Sequence, residues 1–373
     1  MSPAFKSDAF PFVDDFGPAK IVYVSTPGVG LEAIVVIDNV AAGPAIGGVR
    51  MAPDVSVEEC FRLARAMTLK NAACGLRHGG GKSVVFGDPF MPAQEKEQLI
   101  RAFAKAIEPL TDYIPGPDMG TNETCMAYVH DEIGRAVGLP AEIGGIPLDE
   151  IGATGYGVAI AAEAAAPFAG LKLEGARVVV EGFGAVGRHA ARFLARKGAI
   201  LVGASDSRGA IYDAAGLDIE ALAQTRREGR SVASHGRGAA LASDALLSAA
   251  CDIFIPAARP DVLRADNVGR LQCRLVVQGA NIPATAEAER MMFERGIVSA
   301  PDFIANAGGV ICASVEYAGG DEKAAFAAIE EKISRNMQEI IARAAALRLS
   351  LRDAATALVQ ERLRKMMATQ RWR

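Results

Sequence analysis

The sequence predicts a two-domain α/β protein whose second domain is a doubly wound parallel sheet, and three observations support this. Its 373 residues, half of them hydrophobic, suffice for two or three domains that each bury a core. The hydrophobic pattern changes character near residue 145, from a mixture of short β-rich runs and helical stretches to a regular alternation of strand and helix. A glycine-rich turn then joins one strand directly to one helix in the second part.

In the first part, residues 21–25, 33–38 and 83–87 are rich in β-branched residues and read as strands, whereas 57–70 and 95–107 read as helices. Ser56-Val-Glu-Glu59 has the form of a capping box, and Cys60, Leu63, Ala64, Met67 and Asn71 then recur at helical spacing. Pro115-Gly-Pro-Asp118 reads as a rigid turn carrying a carboxylate. Gly144, Gly145 and Gly152 fall where the pattern changes and suit a flexible crossing between domains. Residues 151–171 are apolar, but Glu163 interrupts them and Ala and Gly predominate, so they read as a buried, closely packed helix rather than a membrane span. Strands at 177–181, 200–205, 253–256 and 275–278 alternate with helices at 184–197 and 284–295, the pattern of a parallel sheet. From Asp321 the chain is almost wholly helical, and its last helix either caps the second domain or crosses back to the first.

Composition narrows the function classes. A small disulfide scaffold, a disordered tail and a fibre are excluded, and 40 Lys+Arg against 44 Asp+Glu leave no basic excess to neutralise nucleic acid. Small molecules are the better partners. Cys60, Cys74, Cys125, Cys251, Cys273 and Cys312 are scattered without a CxxC pair or a nearby histidine at ligand spacing, so reduced thiols, no metal site and a cytoplasmic location are expected. The N-terminus lacks the basic and apolar regions of a signal peptide, and the mature protein is expected to start there.

Gly182-Phe183-Gly184-Ala185-Val186-Gly187 follows an apolar run and opens a helical pattern, which is GxGxxG in its required setting. The first glycine permits the tight turn, the second lets a pyrophosphate approach the backbone, and the third lets helix and strand pack closely. Asp206 ends the next strand, where a carboxylate can accept from an adenosine ribose. The second domain is therefore expected to be a Rossmann-type dinucleotide-binding domain. Gly79-Gly80-Gly81-Lys82-Ser83 invites a phosphate-loop reading but fails it, because Leu76 stands where a glycine is required and a strand-like run follows. Lys82 is then either an exposed loop lysine or, behind three glycines and partly buried, a base approached closely by a ligand. Lys70 lies on the apolar face of the first helix and either snorkels out at its C-terminus or meets an anion in a cleft.

Gly43-Pro-Ala-Ile-Gly-Gly-Val-Arg50, Met67-Thr-Leu-Lys70, Gly79-Gly-Gly-Lys82, Gly116-Pro-Asp118, Ala153-Thr-Gly155, Gly279-Ala-Asn281 and Asn306-Ala-Gly-Gly309 occur in that order. In these motifs the chain resembles the glutamate/leucine/phenylalanine/valine dehydrogenase family. The resemblance implies a homo-oligomeric NAD(P)-dependent enzyme that reversibly deaminates an L-amino acid to a 2-oxo acid and ammonia. It implies that Lys70 binds the substrate α-carboxylate with the backbone of Gly47 and Gly48 close by. Lys82 corresponds to the lysine that activates water against the imino carbon, and Asp118 to the carboxylate that moves a proton to and from nitrogen. Thr154, Asn281 and Asn306 correspond to residues near the nicotinamide end of the cofactor. The implied architecture assigns residues 1–145 to substrate binding and catalysis, completed by C-terminal helices from about 345–373, and 146–344 to the cofactor, with a cleft closing between them.

Departures from the family pattern bear on the substrate. Glutamate enzymes of the family place a lysine at the position of Ile46 and a serine at that of Ala313, so an apolar side chain like that of leucine, valine or phenylalanine is expected here. Glutamate is the alternative, because residues 206–212 and 281–283 resemble the glutamate branch. NAD is expected over NADP, since Asp206 and Glu181 would repel a 2′-phosphate, although Arg208 could attract one. Two other readings compete. A 2-hydroxy-acid dehydrogenase would need a His/Arg pair, and none of His78, His130, His189 and His235 stands in such a motif. A nucleotide-sensing module without catalysis would have lost Lys70, Lys82 or Asp118, and all are present.

Overall fold

In the computed structural model, which describes residues 11–370, the chain divides into two units. The first comprises the chain up to Pro147, Ala313–Glu322 and the residues from Val359 onward; the second comprises Leu148–Cys312 and Lys323–Leu358. The segment that rejoins the first unit is therefore shorter than the expected 345–373, and a second segment, Ala313–Glu322, joins it as well. Residues up to Leu358 pack with the second unit because Arg352 is tied there to Glu289 and Asp302.

The first unit is built on strands β1 (Lys20–Thr26), β2 (Leu31–Asn39) and β3 (Ala45–Ala52), helix α1 (Val57–Ala73), β4 (Gly79–Phe86), helix α2 (Ala93–Ile107), β5 (Tyr113–Pro117) and helix α3 (Glu123–Ile133). The sheet order is β1-β2-β4-β3-β5, antiparallel from β1 to β4 and parallel from β4 to β5. β2 is buried on both faces, which explains its nearly continuous apolar run. On one face Val35, Ile37, Val49 and Met51 share a core with Phe103 of α2 and Met126 of α3. On the other, Ile34, Val36 and Val84 pack with Cys60 and Ala64 of α1.

One motif expected to be a turn, and one for which an exposed loop was one of two readings, form strands. Gly79, Gly80 and Gly81 open β4, because backbone from other elements presses where side chains would stand. A Cβ on Gly79 would lie 1.8 Å from the Asn39 carbonyl oxygen, and one on Gly80 2.1 Å from the Thr68 nitrogen of α1. Asn71 fastens this contact by donating to the Gly79 carbonyl at 2.6 Å. Buried Asp38 fastens it again, accepting from Thr68 at 2.6 Å and from Arg65 at 2.8 Å. Pro115 and Pro117 lie in β5, an edge strand paired with β3 alone, where missing N–H groups are tolerated.

The second unit opens with helix α4 (Ala153–Ala165), buried as expected along most of its length. There follow β6 (Arg177–Glu181), α5 (Ala185–Arg196), β7 (Ile200–Asp206), β8 (Gly209–Tyr212), α6 (Ile219–Arg227), β9 (Ala239–Leu241), β10 (Ile253–Pro256), β11 (Leu275–Val277), α7 (Ala286–Glu294), β12 (Val298–Ala300) and α8 (Asp302–Ala305). α9 (Gly308–Tyr317), α10 (Glu322–Leu347) and α11 (Leu351–Ala368) complete the chain, α9 and α11 being shared between the units. The sheet order is β12-β11-β10-β6-β7-β8-β9. Its first five strands are parallel, as the alternation predicts, whereas β8 and β9 extend it antiparallel. Among the described residues no helix is long and apolar enough to cross a membrane.

The Gly80 contact sets a test of this packing. Gly80→Ala forces the α1 backbone off β4 and is expected to destabilise the protein by about 3 kcal/mol or more, read as a lowered midpoint in thermal or urea unfolding.

Candidate active site

β3 lies between β4 and β5, so residues near its middle are flanked by both neighbours. Gly48 is such a residue: a Cβ there would stand 2.8 Å from the Asp118 Cβ and 3.2 Å from the Lys82 Nζ. The missing side chain lets a lysine on β4 and a carboxylate just after β5 meet across β3. Lys82 Nζ lies 3.0 Å from Asp118 Oδ2, and Lys82 is only 5% exposed. It is therefore no loop lysine. Lys70 is also buried, in the last turn of α1, so it does not snorkel into solvent.

Arg50, on the same strand as Gly48, reaches the same carboxylate oxygen, with Nε 2.8 Å from Asp118 Oδ2. Burial raises the Asp118 carboxyl, but the Lys82 and Arg50 charges outweigh that and hold it below the usual carboxylate range. The Asp118 backbone is fixed by Thr121, whose hydroxyl accepts from the Asp118 N–H at 3.0 Å and donates to the Val49 carbonyl at 2.7 Å. Behind the strands, buried Tyr113 donates to the Gly47 carbonyl at 2.9 Å, and its oxygen lies 2.8 Å from the Ser83 hydroxyl. Tyr113 and Thr121 carried no sequence signal of their own, and Arg50 closed a motif without a role assigned to it. They act across strand pairings that no local motif records.

Ile46 and Ala313 are buried in the first unit, and neither offers charge or hydrogen bond. Ile46 alternates with Gly47, whose absent Cβ would stand 1.7 Å from the Gly81 carbonyl oxygen.

The second unit fits a dinucleotide. Gly182 turns the chain at φ +93°, and a Cβ on Gly187 would lie 2.1 Å from the Gly182 carbonyl oxygen, so both need glycine. A Cβ on Gly184 would enter open space, and this N-cap of α5 supplies no side chain to the free N–H groups, which suits an approaching pyrophosphate. Phe183 is buried, and Ala185 and Val186 form the first helical turn. At the end of β11, Asn306 donates to the Ala280 carbonyl and to Asn281 Oδ1, both at 3.0 Å. Thr154, in the first turn of α4, has its Oγ1 2.9 Å from where a Gly309 Cβ would stand, three residues on from Asn306. Asn306 Oδ1 is buried with no hydrogen-bond partner among the described residues, as suits an acceptor for a ligand amide. Arg352 of α11 supports the group from behind: it pairs with Asp302 at 2.7 Å, and Asp302 accepts from the N–H of Ile282, which is held at φ +49°.

Asp206 is placed differently from the simplest ribose acceptor. Its Oδ1 accepts from the Arg208 N–H and the Ser231 hydroxyl, and its Oδ2 from Arg226 and the Val232 N–H, each at 2.9 Å. Burial raises its carboxyl, but these bonds and the Arg226 charge hold it below the ordinary range. Gripping a ribose would require it to exchange bonds it already makes. Burial pushes the Glu181 carboxyl up. Among the described residues no cluster of three or more His, Cys, Asp or Glu is set to hold a metal.

A buried lysine–carboxylate pair on one sheet and a glycine-rich strand–helix turn on another are the arrangement that a dinucleotide-dependent oxidoreductase would use. Residues 144–371 match the family described as Glutamate/Leucine/Phenylalanine/Valine dehydrogenase, and residues 18–135 match Glu/Leu/Phe/Val dehydrogenase, dimerisation domain. The chain belongs to this family and is an NAD(P)-dependent amino-acid dehydrogenase, catalysing oxidative deamination. It is 37% identical over 388 residues to the NADP(+)-dependent glutamate dehydrogenase of Pyrobaculum calidifontis, covering 95% of this chain and 92% of the relative. It is 38% identical over 315 residues to the NAD-specific glutamate dehydrogenase of Staphylococcus aureus, covering 81% and 75%. The crystal structure of a hetero-hexameric glutamate dehydrogenase from Thermus thermophilus, Leu-bound, superposes with a TM-score of 0.85 at 30% identity, covering 94% of this chain and 89% of that one. All three of these relatives are named glutamate dehydrogenases, whereas an apolar substrate was expected here from Ile46 and Ala313.

The Tyr113 hydroxyl is tested by removal. Tyr113→Phe leaves the Gly47 carbonyl and Ser83 hydroxyl short of a partner in a dry site, and is expected to cost about 1–3 kcal/mol in urea unfolding, with a reduced kcat.

Proposed function

We propose that this chain deaminates L-glutamate reversibly, with Lys82 and Asp118 performing the acid–base steps. The buried Lys82–Asp118 contact at 3.0 Å carries the catalytic part of this reading. The names of the relatives support glutamate. Lys70 would anchor the substrate α-carboxylate with its positive charge, together with the backbone of Gly47 and Gly48. NAD or NADP, when bound, supplies the hydride acceptor for Cα. Gly182, Phe183, Gly184, Ala185, Val186 and Gly187 would hold its pyrophosphate, Asp206 would stand at the ribose end, and Thr154, Asn281 and Asn306 would orient its amide end. Hydride loss from Cα leaves an iminium carbon. Lys82, as the neutral amine, takes a proton from water as that water attacks this carbon, and the resulting ammonium stabilises the developing carbinolamine. Both cations occupy Asp118 Oδ2, so Oδ1 is the oxygen available to take the proton that the substrate ammonium gives up before hydride leaves and to return it to the departing nitrogen.

A second reading keeps an apolar substrate, because Ile46 and Ala313 present no group to a distal carboxylate, and burying one unpaired is costly. The same proposal includes a homo-oligomer, supported by the match to a dimerisation domain, while the hetero-hexameric relative supports assembly as such. It also places the protein in the cytoplasm, where its six free thiols suit a reducing compartment.

Lys82→Ala is expected to abolish turnover while the protein stays folded and still binds NAD or NADP, as followed by cofactor fluorescence; near-normal kcat would overturn the mechanism. Lys70→Ala should chiefly raise KM, since the carboxylate loses its anchor in ground and transition states alike. A panel of glutamate, leucine, valine and phenylalanine, each with NAD and with NADP, should give the highest kcat/KM with glutamate. A preference for leucine or valine would establish the second reading instead.

A further inference from the structure

We propose that Arg50, seated by Glu59, is a positioning residue that keeps Asp118 ionised and aimed during the part of the cycle in which Lys82 is neutral. This rests on the roles given above to Lys82 and Asp118. Both cations meet one oxygen of the Asp118 carboxylate, whose side chain is 18% exposed. They are not equivalent. A lysine acting as a base must pass through its neutral form, and the ammonium–carboxylate pair then vanishes. With no other partner, a carboxylate this buried would draw a proton to itself, and it could no longer accept one from the substrate nitrogen. A guanidinium does not deprotonate in proteins, so Arg50 is the partner whose charge persists.

Geometry favours this role. The Nε of Arg50 points at Asp118 while Nη1 is held by the Glu59 carboxylate, so the guanidinium is gripped from two sides. Glu59 is itself fixed in the first turn of α1, where its N–H donates to the Ser56 hydroxyl at 3.1 Å. The capping box is thus completed on one side only, and the Glu59 side chain is turned to Arg50. Facing Asp118 are Lys82 from β4, Arg50 from β3 and the Tyr113 hydroxyl from β5; Glu59 and the Cys60 thiol of α1 face the two cations. Burial pushes the Cys60 thiol up to about 12 and raises Tyr113 above the ordinary phenol range, so neither is charged at neutral pH.

The test is the pH profile of kcat/KM for deamination. The acid limb reports the proton that must leave the Lys82–Asp118 pair, whose affinity for it rises when Arg50→Gln removes the fixed charge, so the limb should move up by about one pH unit or more. Arg50→Lys keeps the charge and should leave the limb near its wild-type position despite a lower kcat. If Arg50→Gln and Arg50→Lys both lower kcat with the limb unmoved, Arg50 is merely structural and the proposal is overturned. Asp118→Asn separates the two levels of argument: full turnover in that variant would remove Asp118 from the reaction, whereas its loss together with an unmoved Arg50→Gln limb defeats only the role of Arg50. A second measurement leaves Arg50 in place. In Lys82→Met the Asp118 carboxyl should stay ionised at pH 7, with no protonated-carboxyl infrared band that disappears in Lys82→Met/Asp118→Asn. Such a band at pH 7 would show that Lys82 alone had kept the carboxylate charged.

Discussion

The absence of side chains at Gly79, Gly80 and Gly81 is the constraint on which the catalytic sheet depends. Ordinary residues there would hold the Asn39 backbone, α1 and the Tyr113 ring at side-chain distance from β4. Glycine lets all three close onto the strand, and Asn71 and the Asp38 cluster with Arg65 and Thr68 then lock α1 in place. The two lysines follow from this contact. Lys82 is the first residue of β4 with a long side chain, and Lys70 lies between Thr68 and Asn71, two anchors of α1. Their burial is a by-product of backbone approach, which explains why charged groups persist in a dry setting.

Charge within that setting is balanced by sharing. One carboxylate oxygen serves two cations, and one of those cations is shared onward with a second carboxylate. Breaking any member would strand a buried charge, so the cluster is harder to lose piecemeal than an exposed ion pair would be. The second unit uses a comparable device with different consequences. Arg352, Asp302, Glu289 and Gln278 brace the backbone at Ile282 from behind, without any of the four standing in the glycine-rich turn.

How much was legible in the sequence depended on how local the cause was. β6 and β10 coincide with their apolar runs because parallel strands buried on both faces announce themselves by composition alone. β3 and β5 gave no such signal. Ala45-Ile-Gly-Gly-Val-Arg and Tyr113-Ile-Pro-Gly-Pro carry glycine and proline that argue for turns, and tertiary pairing overrides that preference. The same distinction separates the site residues. Lys82 and the glycine turn are marked by neighbouring glycines, whereas Arg50 and Asp118 are 68 residues apart and meet only because β3 and β5 pair. Asp206 shows the converse: its position at a strand end was readable, but its four hydrogen-bond partners were not, since Arg226, Ser231 and Val232 lie on later elements.

The chain enters its first unit twice more after leaving it, through Ala313–Glu322 and again from Val359. During synthesis the N-terminal sheet therefore emerges early, yet the residues that complete its unit emerge only after those of the second unit. Arg362, which donates to the Ala73 carbonyl at the end of α1, is separated from it by 289 residues. Gln370, which donates to the Ala41 carbonyl, is separated from it by 329. The usual vectorial order, in which an N-terminal domain finishes before the next begins, is thus closed to this protein. Its second unit also depends on late residues, since Arg352 follows Asp302 by 50 positions. Neither half is complete until the helices from Glu322 onward are in place.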